Sequence, residues 1–509
     1  MRRIQITAAQ TAVLMAVLTL GSKCVGFVRE MVLANYFGTS FIVDAYTMAN
    51  SIPNMIFGSL FSAVAISFMP VFSKKVELEG EQEANLFTSR TLNVLMLVSA
   101  ISALIGLLFS DQLVWIFSQF KDPETVALTS FYLKITFSFI IFNSVATLME
   151  AFLQYRGVFL PQIIIGYVQS GCIIVIAIVS AYTSYYYLAF GILLGVGLRA
   201  LGISFLARRR GFRYSFDWKL GAATKEIMLL ALPVFIGGSI NQINAFVDRT
   251  LASGLQEGSI AALNYGNLIV GMINTMTVTI MVTIIYPKMT QANALKDYER
   301  LGNIAERGIN LTLLVALPCT IGALVYSEQV IQVVYERGAF DPAATALTGP
   351  AFFYYSIGLV FICLATLLTK IYYSFGDTRT PVYCGLAGMV VNVVLNLILV
   401  RYMAHAGLAL ATSVAAAVNA LSLYYMMKRK YPQITLIRST KKMWLIGAIS
   451  AVSVSVSYGA YRLIGDNLWM PRLILLGLAV AVAGVVYLAL LFLARIEEVN
   501  LIRDLFHRG

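Results

Sequence analysis

The stretch Gly21–Pro70, GSKCVGFVREMVLANYFGTSFIVDAYTMANSIPNMIFGSLFSAVAISFMP, decides the fold of this chain. Two long apolar runs follow each other with little between them, which predicts two membrane-spanning helices joined by a short turn. Lys23, Arg29 and Glu30 lie inside the first helix, and Asp44 opens the second. Because charge is unfavourable in hydrocarbon, such residues usually face a bundle interior or a watery cavity. The stretch therefore predicts a cationic cavity that holds an anion.

The composition extends this interpretation to the whole chain. Of its 509 residues, 59% are apolar and only 12% are charged, and the mean hydropathy is +0.79. These values indicate an all-α polytopic membrane protein. The first apolar run continues through Val32 without a small-residue cleavage site, so we expect it to remain as the first span. About 14 spans are predicted, near 8–34, 44–72, 87–110, 125–153, 158–182, 184–207, 224–252, 258–287, 301–324, 345–373, 379–401, 406–427, 442–464 and 470–494.

The distribution of Lys and Arg predicts the orientation. With both termini in the cytoplasm, roughly 27 of the 37 basic residues fall in inner loops and about five in outer loops. The net charge of +12 is therefore explained by topology, and nucleic-acid binding is disfavoured. Arg495 begins a tail with apolar residues at helical spacing, which predicts a cytoplasmic interfacial helix or, alternatively, a solvated tail.

An internal repeat predicts the domain organisation. Asp122-Pro123 returns as Asp341-Pro342, each followed by Ala-Leu-Thr, and the offset is close to 219 residues. Six spans per repeat give both halves one orientation, so they should be related by a pseudo-two-fold axis along the membrane normal. The predicted domains are an N-lobe (1–219), a C-lobe (220–432) and two additional spans with the tail (433–509).

The charged residues of the first span are the main site candidates. Lys23 and Arg29 suit phosphate or diphosphate, since Arg offers a bidentate fork and Lys a point charge. The alternative is structural pairing with Glu30, Asp44 or Asp248. Lys134, Glu150 and Arg199 lie closer to span ends, and for them the sequence favours snorkelling to the membrane interface.

A second candidate set is made of neutral oxygens and one carboxylate. Asn392 and Asn396 stack on one helix face, and Thr412 opens the next helix. With Asp248 they predict a sodium site, and interhelical hydrogen bonding is the equal alternative for the asparagines. The five cysteines have unrelated spacings and the two histidines are far apart, so disulfides and transition-metal sites are not expected.

Motifs of catalysis are not found in the sequence. It has no Gly-rich phosphate loop with Lys and Ser or Thr, no nucleophile elbow and no metal-ligand spacing. No loop is long enough to fold as a domain. We therefore expect a transporter without an enzymatic activity or a cofactor, driven by a sodium ion or the membrane potential.

The motifs of the first two spans resemble a known family. GFVREMVLANYFGTS, Asp44-Ala45, Ile52-Pro53-Asn54 and Phe68-Met69-Pro70 are similar to the lipid II flippases called MurJ or MviN, within the multidrug, oligosaccharidyl-lipid and polysaccharide exporter superfamily. The resemblance implies alternating access, a monomer in the bacterial cytoplasmic membrane and a lipid-tail groove at the last two helices. It also implies the sodium set above and cavity roles for Lys23, Arg29 and Asp44. Together with four further polar residues of the predicted spans these form the predicted substrate-binding set, and the four are Glu30, Asn54, Arg249 and Asn267.

Several functions remain open at this stage. The first is translocation of an undecaprenyl-diphosphate-linked peptidoglycan precursor from the inner to the outer leaflet. The second is the same transport of another polyprenyl-diphosphate-linked glycan, for exopolysaccharide or a teichoic-type polymer. A drug/cation antiporter would need an acidic or aromatic cavity and about twelve spans. A scaffold or a membrane glycosyltransferase is the remaining alternative.

Overall fold

The computed structural model describes residues 8–219, 221–432, 437–467 and 470–495. This part of the chain is helical, with one 3-10 turn at Tyr185–Tyr187. The helices are α1 (Ala8–Phe37), α2 (Phe41–Leu108), α3 (Ser110–Phe117), α4 (Pro123–Tyr155), α5 (Leu160–Tyr182), α6 (Leu188–Arg209), α7 (Ala222–Ala252), α8 (Ser259–Ala294), α9 (Tyr298–Val325), α10 (Ser327–Tyr335), α11 (Pro342–Ser374), α12 (Arg379–Lys430), α13 (Ile437–Asn467) and α14 (Arg472–Leu493).

Two of these helices are broken inside their length. Gly80 in α2 has φ of 87° and Ala404 in α12 has φ of 48°, so each helix changes direction there. Each predicted span therefore lies on a long helix or on one side of a break, to within about four residues. Among the described residues, nine helices, or ten with the bent pair Pro342–Ile357 and Leu359–Ser374, are long and apolar enough to cross a membrane. The expected all-helical membrane fold is confirmed.

The repeated Asp-Pro motif marks two helix starts. Asp122 Oδ2 accepts the backbone N–H of Thr125 at 2.8 Å, and Asp341 Oδ1 accepts that of Ala344 at 2.8 Å. The prolines occupy the first turns of α4 and α11, where no backbone N–H is needed. Hydrogen bonds from the Thr125 side chain and backbone also hold the pKa of Asp122 below its usual value. The motif therefore repeats because it begins the corresponding helix in each half.

The chain forms two compact units. The first holds the described residues up to Ala261 together with Arg337–Phe340, and the second holds Ala262–Glu336 and the described residues from Asp341 onward. In the first unit α2 packs on α4 and α7, α4 and α5 pack on α6, and α1 packs on α5. In the second unit α11 packs on α12 and α9. The lobe boundaries predicted from the repeat are a different division and stay a prediction.

The last two helices are attached to the second unit by tyrosines. The Tyr326 and Ser457 hydroxyls lie 2.8 Å apart, and Ser457 Oγ donates to the Ala479 carbonyl of α14. Tyr487 Oη donates to the Leu314 carbonyl of α9 at 2.7 Å. The additional helices are thus bonded into the bundle. The predicted interfacial tail lies outside the described residues.

Candidate functional site

A cleft of about 390 Å³ lies in the first unit, lined by residues of α1, α4, α5 and α6. Lys23 and Arg29 both line it, so the structure brings the two predicted cations of α1 to one space. The Lys23 side chain is exposed, and within the described part of the chain its ammonium has neither a hydrogen bond nor an ion pair. The cleft thus contains one cation without a counter-charge.

Arg29 has a partner. Its Nη2 and Nε atoms donate to Glu30 Oε1 at 2.6 and 3.0 Å, and the Arg29 side chain remains 28% exposed. The pairing with Glu30 that the sequence offered as the alternative is therefore present. A guanidinium has five N–H donors, and Glu30 accepts only two of those of Arg29. The remaining N–H donors of Arg29 are available to a ligand in the cleft.

A second ion pair that lines the cleft joins α4 and α6. Arg199 Nη2 donates to both Glu150 carboxylate oxygens at 2.8 and 2.9 Å, and Nε donates at 2.9 Å. Both side chains are about one-fifth exposed and line the cleft. The structure differs here from the expected snorkelling, because α4 and α6 pack so that each charge finds its partner inside the bundle. Sequence reasoning missed this pair because the partners lie 49 residues apart on separate spans.

The electrostatics of the cleft follow from these pairs. Arg29 is balanced by Glu30 and Arg199 by Glu150, so the uncompensated charge is that of Lys23. An arginine that is already paired with a carboxylate adds little net positive charge to the cleft. It can still offer a ligand N–H donors in a fixed orientation. The cleft therefore carries the positive charge of Lys23 together with arginine N–H donors, which suits an anion.

Asp44 is placed away from this cleft. Its Oδ2 accepts the N–H of Gly258 and its Oδ1 that of Ala261, both at 2.8 Å, and the residue is only 4% exposed. Glu257 Oε1 in turn accepts the N–H of Phe41 at 2.8 Å. Asp44 thus caps the start of α8, and its predicted contact with substrate stays a prediction.

Three further predicted substrate residues also lie outside the lining of the cleft. Asn54 donates to the Asn50 carbonyl of its own helix at 2.8 Å. Arg249 Nη1 donates to Ser51 Oγ at 2.8 Å and links α7 to α2. Asn267 is exposed on α8 in the second unit. Their role as substrate ligands stays a prediction.

The residues of the predicted sodium site are divided between the two units. In the second unit, Asn396 Nδ2 donates to Asn392 Oδ1 at 2.7 Å, and Asn392 Nδ2 donates to Thr412 Oγ1 at 3.2 Å. Both asparagines are fully buried. Asp248 is buried in the first unit. The hydrogen bond from Asn392 to Thr412 joins the two halves of α12 and matches the structural alternative, and sodium binding stays a prediction.

The family model described as lipid II flippase MurJ matches residues 33–479. The chain belongs to the MurJ family. It is similar to probable lipid II flippases MurJ from Rhizobium meliloti (strain 1021), at 29% identity over 96% of this chain and 95% of that protein, and from Rhizobium tropici, at 28% over 95% and 94%. Membership in a family of transporters confirms the expectation of a protein that is not an enzyme.

Solved structures agree on the fold. A lipid II flippase MurJ in an inward closed conformation aligns with a TM-score of 0.83, at 23% identity, over 97% of this chain and all of that one. An inward-facing multidrug resistance MATE transporter of the MOP superfamily aligns with a TM-score of 0.67, at 13% identity, over 82% and 98%. The chain therefore has the MurJ/MATE fold of multi-pass membrane proteins, and its site is argued from its own residues.

Proposed function

We propose that this chain carries lipid II, an undecaprenyl-diphosphate-linked peptidoglycan precursor, from the inner to the outer leaflet by alternating access. Lys23 and Arg29 bind the diphosphate in the cleft of the first unit. The observation that carries the proposal is the Lys23 ammonium, which belongs to α1, the predicted first span, lines the cleft and has no partner in the described residues. An intramembrane cation without a counter-ion normally marks a ligand pathway.

The chemistry of the cleft supports a phosphorylated headgroup. Lys23 supplies a point charge, and Arg29 supplies N–H donors in a fixed plane, which together suit two linked phosphates. Cations are unfavourable in hydrocarbon, so a bound anion would lower the free energy of this part of the bundle. A drug cation would need an uncompensated acid, whereas Glu30 and Glu150 are both held by arginines.

The family and the charge distribution support the setting that we propose. The chain acts in the bacterial cytoplasmic membrane as a monomer, with both termini in the cytoplasm and the basic loops inside. The additional helices α13 and α14 form the groove for the lipid tail. A sodium ion at Asp248, Asn392, Asn396 and Thr412, or the membrane potential, drives the cycle. A flippase for another polyprenyl-diphosphate-linked glycan uses the same cleft and is the second candidate.

The test is leaflet-resolved transport. The purified protein is placed in liposomes with lipid II, and the appearance of lipid II in the other leaflet is followed with an enzyme that modifies only the exposed headgroup. We expect Lys23→Gln to reduce transport at least tenfold, a loss typical of removing one charge-assisted contact worth about 1.4 kcal/mol or more. Lys134→Gln is the matched control, since Lys134 also lies on a spanning helix but outside the cleft. Equal transport by Lys23→Gln and the wild type would exclude the proposed site.

A further inference from the structure

In the part of the chain that the structure describes, three hydroxyl groups that line the cleft lack the backbone hydrogen bond that many hydroxyl groups in spanning helices make. Ser62 and Thr147 donate to the carbonyl four residues earlier, at 2.9 and 2.8 Å, which is the usual arrangement in a spanning helix. Thr19, Ser22 and Ser170 line the cleft, and the described residues offer their hydroxyls no hydrogen bond. These three groups are therefore available to a ligand or to water.

A carboxamide completes this surface. Gln169 accepts a hydrogen bond from Arg199 Nη1 at 3.4 Å through its Oε1 atom, and its Nε2 donors have no partner within the described ranges. Arg199 is itself fixed by Glu150, so the pair sets the position of the Gln169 side chain. We call Thr19, Ser22, Gln169 and Ser170 the polar wall. It offers three hydroxyls and one amide, all neutral.

The floor of the cleft leaves room beside the polar wall. Gly166 lines the cleft, and a Cβ atom added there would meet nothing within 4 Å. Its helix α5 is regular at this point, so the small residue is not required by the backbone. A sugar ring can therefore approach α5 at Gly166, beside the polar wall.

We infer that the polar wall is a saccharide subsite, which binds the hydroxyl and amide groups of the sugar attached to the diphosphate. This inference rests on the proposed function. Sugar hydroxyls both donate and accept hydrogen bonds, and neutral hydroxyl and amide side chains match them without adding charge. Lipid tails would require an apolar lining, and the diphosphate is served by Lys23 and Arg29. The subsite thus distinguishes a glycosylated diphosphate from the bare one.

The first test compares two probes, lipid II and undecaprenyl diphosphate, which lacks the sugar. Binding of each to the purified full-length protein is measured in detergent micelles. Gln169→Leu keeps the approximate size of the side chain and removes its donors. We expect it to weaken lipid II binding about fivefold to tenfold, as the loss of polar contacts with a ligand does, and to leave undecaprenyl diphosphate within twofold. Lys23→Gln should weaken both probes.

The second test fills the cleft. Gly166→Leu should abolish lipid II binding and spare undecaprenyl diphosphate, because the added side chain takes the place of the ring. Gly171→Leu is the matched control on the same helix, where an added Cβ also meets nothing within 4 Å but which does not line the cleft. An unchanged apparent Tm for both variants shows that folding is intact.

The outcomes separate the two claims. Wild-type protein that binds neither probe would overturn the proposed function and the subsite together. Wild-type protein that binds both probes, with Gln169→Leu and Gly166→Leu affecting both equally or neither, would overturn the subsite alone. Selective loss of lipid II in both variants supports it.

Discussion

The Asp44 carboxylate accepts a hydrogen bond from the backbone N–H of Ala261 at 2.8 Å, across 217 residues of chain. This separation is close to the offset of the internal repeat, so the start of α2 meets the start of its counterpart α8. Glu257 Oε1 accepts the N–H of Phe41 in return. Each helix start therefore receives an acidic group from the other, which satisfies N–H donors that a helix leaves open at its first turn.

Loss of this cap should destabilise the first unit. Asp44→Ala leaves the N–H groups of Gly258 and Ala261 without their acceptor in a site that is almost fully buried, at a cost of about 1–3 kcal/mol. We expect a lower apparent Tm in detergent, and partial recovery in Asp44→Asn, which keeps one oxygen acceptor. An Asp44→Ala variant with the wild-type Tm would contradict the capping role.

The pair of Arg199 and Glu150 predicts a result opposite to that expected from the sequence. Snorkelling would make Arg199→Ala neutral, but the structure shows that this change leaves Glu150 largely buried without its counter-charge. Breaking such a pair costs up to about 3 kcal/mol, whereas replacing both partners with apolar residues costs less. A double-mutant cycle with Arg199→Leu, Glu150→Leu and the double variant, read as apparent Tm, should show strong coupling. Additive effects would mean that the pair does not form.

How much the sequence reveals depends on how local each feature is. The spans follow from apolar runs. Asp122-Pro123 and Asp341-Pro342 mark helix starts because each capping carboxylate accepts a backbone N–H only three residues further along the chain. Glu150 offers no such signal, since its partner lies on another span. From the sequence, Asp44 is predicted to contact substrate. An acidic residue at the end of a span can equally well cap a helix that is distant in the sequence, so the sequence does not separate the two roles. Only packing distinguishes these roles.

The ion pair within α1 predicts how anion affinity responds to charge. Glu30 holds Arg29 through Oε1 at 2.6 Å, so Glu30→Gln weakens that hold and increases the positive charge of the cleft. We expect tighter binding of inorganic diphosphate to Glu30→Gln than to the wild type, and a stronger dependence on ionic strength. Arg29→Ala should bind diphosphate more weakly and lose transport. Isothermal titration calorimetry of both variants measures whether the affinity for diphosphate rises or falls relative to the wild type. Weaker binding by Glu30→Gln would exclude Arg29 as an anion ligand.

The loop between α11 and α12 contains a carboxyl whose ionisation stabilises the fold. Burial raises the pKa of Asp377, but hydrogen bonds from Lys430, at 2.7 Å, and from Thr380 outweigh it and lower the pKa from 3.8 to about 2. Because the folded-state pKa is depressed, the stabilisation is fully present above about pH 4 and is lost as the pH falls through about 2. Asp377→Asn should therefore lower the apparent Tm at pH 7 and reduce the difference from wild type as the pH falls from 4 towards 2. Lys430→Met should show the same pH dependence, since it removes the other partner. A Tm difference between Asp377→Asn and wild type that stays constant over this range would show that the contact is not electrostatic.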